Sequence, residues 1–429
     1  MTAAPAPSPA AVPGTTDRPV PADAVVAYQR PAEGLPAVTD TPAALARQAA
    51  ALAAGTGPIA VDAERASGFR YGQDAYLVQL RRAGAGTVLV DPQGAGELSA
   101  LAAALDGPEW VLHAADQDLP CLTALGLSTE RLFDTELAAR LLGREHVGLG
   151  AVIEETLGLR LAKDHAAADW STRPLPESWL VYAALDVELL LPLRDALAEE
   201  LHAAGRAEWA AEEFAYELAH PARAPRPDPW RRTPRSGPAL RSPRSAAVLR
   251  ELWIAREELA RQLDVTPSKV LPHRALVAAA VIRPTSPRRL AGLREFSSRT
   301  ARQHQELWWR AVERALELPE DQLPPVHAPL APGELPQPRS WPRHHPESAA
   351  ALERVRGGVR ERAEQLRIPH EVLLGTDAQR RLAWEVGEAE AAGRRVDVSV
   401  AGVSALLASF DARPWQIEQV ARSLATALH

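Results

Sequence analysis

The chain has 429 residues, a length that suggests about three domains, and its 46% hydrophobic and 24% charged content is that of an ordinary globular protein with a sizeable core. A net charge of −7 argues against a protein that coats nucleic acid by bulk electrostatics, though it leaves local basic patches open. Cys121 is the only cysteine, which excludes an intramolecular disulfide framework and a cysteine-based zinc site and predicts a reducing, cytoplasmic location; no apolar run approaches the length of a membrane span.

Residues 1–24 are rich in Ala, Pro and Thr, lack a basic and an apolar segment, and read as a disordered tail rather than a signal peptide. Asp40-Thr41-Pro42 then opens a helix that Gly55 ends. Ile59 to Glu64 is a buried strand, and the runs 75–80 and 87–90 form a β-hairpin around Arg81 to Gly86. A helix at 96–105, a short strand at Trp110 to His113 and a helix from near Asp116 follow. Phe133-Asp134-Thr135 opens a helix through Leu142, and 149–157 is amphipathic with Gly158 as its stop. From Pro176, at a helix N1 position, one long helix runs to Gly205 with a kink at Pro192. Strands alternating with helices after a hairpin predict an α/β domain with a mixed sheet over 25–218.

Seven prolines interleaved with arginines make 219–244 an extended linker, either a solvated connector or a strap that tracks phosphates. Helical patterns then fill 245–320 and 347–429, separated by a second proline-rich linker at 321–346. The two blocks share length and rhythm, which predicts a duplicated helical bundle.

Chemistry concentrates in the first domain. Asp62 and Glu64 are two apart on a strand and so project to one face, where like charges call for a hard divalent cation between them. Asp118 starts a helix just after the next strand, a position at which an aspartate is commonly only a cap. Tyr182 and Asp186 lie four apart, sharing one face of a later helix.

In that order these residues resemble ribonuclease D, in the tyrosine-containing subclass of the DEDD 3′→5′ exonuclease superfamily. The likeness rests on Val61-Asp62-Ala63-Glu64, on His113-Ala114-Ala115-Asp116-Gln117-Asp118-Leu119, on Phe133-Asp134-Thr135, and on Asp169-Trp170-Ser171-Thr172-Arg173-Pro174-Leu175 leading to Tyr182-Ala183-Ala184-Leu185-Asp186-Val187. It covers Val25 to Gly205 closely; the helical blocks resemble, more loosely, the HRDC-type nucleic-acid-binding modules of that family. The resemblance implies an RNase H-like sheet flanked by helices and a hydrolase that releases 5′-mononucleotides from single-stranded RNA 3′ ends, with tRNA precursors as substrate. It also implies two divalent cations, Mg²⁺ or Mn²⁺, held by Asp62, Glu64, Asp118 and Asp186, with Tyr182 orienting the attacking water. Candidate substrate contacts are His113 at the terminal sugar, Phe69 or Tyr71 against a terminal base, and Lys163, His165 and Arg173 at phosphates; a structural role stands beside each, and for the two rings core packing is the safer reading. DNA exonuclease activity and an idle RNA-binding scaffold are the alternatives that the motifs leave open.

Overall fold

A computed structural model describes residues 25–161, 167–220, 227–326, 330 and 333–429. The tail at 1–24 and both Lys163 and His165 lie outside them.

Strands β1 (Val26–Tyr28) and β2 (Val38–Thr39) precede α1 (Pro42–Ala54), which Thr41 caps through its side chain. Then come β3 (Thr56–Arg65), β4 (Ala75–Ala83), β5 (Gly86–Val90), α2 (Ser99–Leu105), β6 (Trp110–Leu112), α3 (Leu119–Ala124), β7 (Leu132–Asp134), α4 (Thr135–Leu141), α5 (Leu149–Leu157), β8 (Leu159–Leu161), α6 (Glu177–Glu188), α7 (Leu190–Ala203) and α8 (Ala207–Ala219). Six strands form a mixed sheet in the order β2-β5-β4-β3-β6-β7, with β3, β4 and β5 antiparallel and β6 and β7 running parallel to β3. β1 pairs in parallel with β8 outside it.

Alternation along β3 divides the sheet into two chemistries. Val61 and Ala63 join Val78, Leu80, Val88 and Val90 in the main core. Asp62 and Glu64 pair across the ladder with Gln79 and Leu77. Leu77 and Leu89 pack instead with Trp170, Ala183 and Ala184, a smaller cluster between the sheet and α6. The small side chains of Ala183 and Ala184, both fully buried, let α6 approach β3, β4 and β5.

The middle helical block runs through α9 (Pro243–Leu263), α10 (Pro267–Val270), α11 (His273–Ile282), α12 (Pro287–Ala291), α13 (Arg299–Gln303) and α14 (Gln305–Glu317). The last block comprises α15 (Trp341–His344), α16 (Pro346–Leu366), α17 (His370–Leu373), α18 (Thr376–Ala391), α19 (Val400–Ser409) and α20 (Pro414–Leu428). Both repeat one opening: a 21-residue helix led by proline, a left-handed C-cap (Asp264, Arg367), then a four-residue helix.

The middle block has its own core. The last block shares one continuous core with the α/β domain. Its docking ground is α8, where Trp209 stacks on Trp415 at 4.8 Å and Glu213 accepts from Arg413 Nε and Nη2 (2.8 and 2.9 Å) and from Trp415 Nε1 (2.8 Å). The loop after β3 meets the middle block: Thr266 N donates to Phe69 O (3.0 Å), and Asp264 accepts from Arg70 Nη1 and Tyr71 N (3.1 and 3.3 Å).

Several sequence expectations change. Phe133 and Asp134, read with Thr135 as the opening of a helix, belong instead to the strand Leu132–Asp134, buried throughout and too short to show alternation, and the helix starts at Thr135. The long helix breaks at Leu189 into α6 and α7, and Pro176 is the N-cap rather than N1. Strands β1, β2 and β8 and helix α8 went unread. The expected extended linker is not extended in its described part: Pro229–Arg232 and Ala239–Arg241 form 3₁₀ turns and bury Trp230 in the middle core. Likewise Trp341 in the second linker is fully buried in the last block.

Candidate active site

β3 and α6 build the centre. Asp62, Glu64 and Asp186 each offer an oxygen within 4.8 Å of the others, the one such group of potential metal ligands among the described residues. Tyr182, one turn before Asp186, hydrogen-bonds to its carboxyl group. The segment before α6 supports that tyrosine from below: Trp170 is fully buried and tilts against Trp179 and Tyr182, with centroids at 5.4 and 6.3 Å.

Asp118 completes the set from a 3₁₀ turn at Ala115–Gln117. It occupies the N-cap of α3 yet makes no side-chain capping bond, so the bland role for a helix-start aspartate is not the one it plays. Its carboxylate lies 3.4 Å from Arg65 Nη2. The turn is held by Asp134, which the sequence marked without assigning a task. Asp134 Oδ1 accepts from Ala114 N, Glu136 N and Leu137 N (3.2, 2.7 and 3.1 Å), and Oδ2 accepts from Ala115 N at 2.6 Å. One carboxylate thus caps α4 and pins Ala114, whose φ of +58° an alanine rarely adopts. Glu217 of α8 also bonds to Asp134; burial, then the charges of Asp134 and Asp116, push it up to about 9, which keeps it protonated at neutral pH.

Electrostatics in the centre are strongly unfavourable without cations. Burial raises Asp62 to about 6, and burial followed by the charges of Asp62, Asp186 and Asp118 raises Glu64 to about 10. Asp118 and Asp186 are raised well above the usual carboxylate range, by burial first and then by Asp62. Burial and the neighbouring acids also raise Tyr182, so its hydroxyl keeps its proton. Converging carboxylate oxygens that resist ionising together are the donor set of a hard divalent ion, and Mg²⁺ or Mn²⁺ fits them.

The expected substrate contacts fare differently. Arg173 is fully engaged elsewhere: Nε and Nη2 grip Asp91 (2.5 and 2.8 Å), Nη1 donates to Trp170 O and Thr172 O, and Nη2 to Tyr76 O, so it fastens the segment before α6 to the sheet instead of meeting phosphate. Phe69 and Tyr71 do not stand open for a base. Lys269 Nζ sits 4.0 Å from the Phe69 ring centre, and Arg261 lies over Tyr71 at 5.2 Å while donating to its hydroxyl, so both rings serve the junction with the middle block. His113 Nδ1 is 2.9 Å from Thr135 Oγ1, and burial lowers it to about 4, a neutral ring tied to the start of α4.

The sequence matches the 3′-5′ exonuclease family over residues 36–202, the HRDC domain over 245–312 and the 3′ to 5′ exonuclease C-terminal domain over 334–428. It is 33% identical to the ribonuclease D of Pseudomonas paraeruginosa over 290 residues, 67% of this chain and 73% of that one. This chain belongs to the ribonuclease D family. The ribonuclease D of Gluconacetobacter diazotrophicus is 34% identical over 244 residues, 56% of this chain and 61% of its own length. Among solved structures, a protein from Bifidobacterium adolescentis superposes with a TM-score of 0.83 at 37% identity, covering 94% of this chain and 99% of that one. Escherichia coli RNase D, described as an exoribonuclease involved in structured RNA processing, superposes with a TM-score of 0.64 at 29% identity, covering 81% and 91%. Ribonuclease D membership makes the chain a hydrolase of the 3′→5′ exoribonuclease type.

Proposed function

We propose that this chain shortens single-stranded RNA from its 3′ end by a two-metal mechanism, releasing 5′-mononucleotides, with precursors of tRNA among its substrates. The observation that carries the reading is the convergence of Asp62, Glu64 and Asp186 within 4.8 Å beside Tyr182. Asp62, Glu64 and Asp186 would hold one divalent ion, and Asp62 would hold the second with support from Asp118 through water. Such ions would supply the chemistry that makes water nucleophilic near neutral pH and offsets charge at phosphorus and at the leaving oxygen. Tyr182 does its work as a neutral phenol. With its O–H donated to Asp186, its oxygen accepts a hydrogen bond from the attacking water and aims that water at phosphorus. Asp134 and Arg173 fix the two segments that carry Asp118 and Tyr182, so the site is formed before substrate arrives.

A time course on labelled RNA and matched DNA, in Mg²⁺, Mn²⁺ and chelator, tests this. Stepwise shortening from the 3′ end of RNA, abolished by chelator and by Asp62→Asn, is the expected result. Undiminished cleavage by Asp62→Asn overturns the site; equal rates on DNA overturn the choice of RNA.

A further inference from the structure

Arg65 follows Glu64 directly and stands at the end of β3, where the β3–β4 ladder shifts register between Glu64 and Arg65. Bulges of this kind beside active sites redirect a side chain. Here the guanidinium ends 3.4 Å from Asp118, with a quarter of the arginine side chain exposed against 8% for the aspartate. It is the cation whose charge opposes the upward shift of the Asp62, Glu64 and Asp118 carboxyl groups alike. The neighbouring arginines are committed: Arg173 to Asp91 and Arg70 to Ser171 and Asp264, through hydrogen bonds of 2.5–3.1 Å. At 3.4 Å the Arg65 pair is looser and partly wet, which makes it exchangeable.

Charge balance says what the exchange is for. Two divalent ions neutralise the four carboxylates, which leaves the guanidinium's single positive charge without a partner in the protein. A phosphodiester brings one negative charge, and a guanidinium fork matches two of its oxygens. We propose that Arg65 is a displaceable counter-ion, competing with the second divalent ion for Asp118 and, once displaced, taking a phosphate oxygen of the RNA. This deepens the two-metal reading and rests on it. The magnesium level at which the enzyme becomes active is then set by Arg65, and RNA helps complete the metal site by drawing the arginine away.

Mn²⁺ binding to the full-length protein, followed by calorimetry and by electron paramagnetic resonance without RNA, tests the competition. Removing the rival cation in Arg65→Gln should tighten the second ion, whose ligand Asp118 the arginine faces directly, on the order of tenfold and more than it tightens the first. The KM for an RNA oligonucleotide should rise severalfold in the same variant, and Arg65→Lys should restore part of it. Two ions bound with equal affinity in wild type and Arg65→Gln overturn the competition and leave the two-metal reading standing. Fewer than two ions in Arg65→Gln, where the rival cation is gone, overturn both. An unchanged KM overturns the transfer to phosphate.

Discussion

Asp134→Asn isolates what one carboxylate oxygen does for the active site. Three backbone N–H groups converge on Oδ1, at 3.2, 2.7 and 3.1 Å, and one, from Ala115, on Oδ2 at 2.6 Å. An asparagine keeps the first three by placing its carbonyl at Oδ1, and then sets its NH₂ against the Ala115 N–H. That exchanges a buried, charge-assisted hydrogen bond for two facing donors, a cost of about 2–3 kcal/mol. The α4 cap survives, so the loss falls on the Ala114–Ala115 turn, where Ala114 has a φ of +58°. Asp118 is three residues on. A displacement of its carboxylate of about 1 Å lowers turnover on the order of a hundredfold. Urea unfolding gives the stability term, and single-turnover cleavage of labelled RNA gives the rate, with KM unchanged. A variant that loses the stability but keeps the wild-type rate refutes the claim that Asp134 positions Asp118; one that loses neither refutes the hydrogen-bond argument itself.

Asp186→Asn should abolish mononucleotide release with RNA binding nearly intact, and Tyr182→Phe should slow cleavage while Mn²⁺ still binds, with metal loss in the phenylalanine variant showing that the tyrosine had been given the wrong role. Metal binding at pH 7 should release protons, because Glu64, raised to about 10, and Asp118 and Asp186, raised above their usual range, must ionise to act as ligands. Apparent metal affinity therefore rises with pH, and calorimetry in buffers of different ionisation enthalpy reads the release; identical heats in all buffers count against it. Arg413→Ala leaves Glu213 as a buried charge deprived of both guanidinium bonds and should cost about 3–5 kcal/mol. Combining it with Glu213→Gln should recover part of that in chemical denaturation, and a strictly additive double mutant would show that the pair is not coupled.

Asp62 with Glu64, two apart on a strand, and Tyr182 with Asp186, four apart on a helix, were legible as pairs because local geometry defines such spacings, whereas Asp118 was marked only by its place in the order of motifs. Substrate contacts were not legible, since an arginine or aromatic ring gives no local sign of what it will touch. Arg173 has the composition of a phosphate ligand and spends every donor on Asp91 and three carbonyls. Phe69 and Tyr71 look like stacking platforms until the middle block covers them with Lys269 and Arg261. Short strands escaped for a related reason: Leu132–Asp134 has three residues, all buried, and no period to read. The proline-rich linkers misled because composition describes an isolated chain, whereas Trp230 and Trp341 bury enough apolar surface to order their surroundings.

The contact of α8 with α20 also governs how the chain is made. Glu213 and Arg413 are 200 residues apart, and the middle block, with a separate core, lies wholly inside that loop. During synthesis the α8 surface with Trp209 stays uncovered until α20 has left the ribosome, while the middle block can already have folded. The first and last blocks are thus one cooperative unit interrupted by an autonomous insert. A nick in the insert should leave the two flanks joined, whereas a stop codon before α20 should expose the nuclease domain to proteases while its catalytic residues are all present.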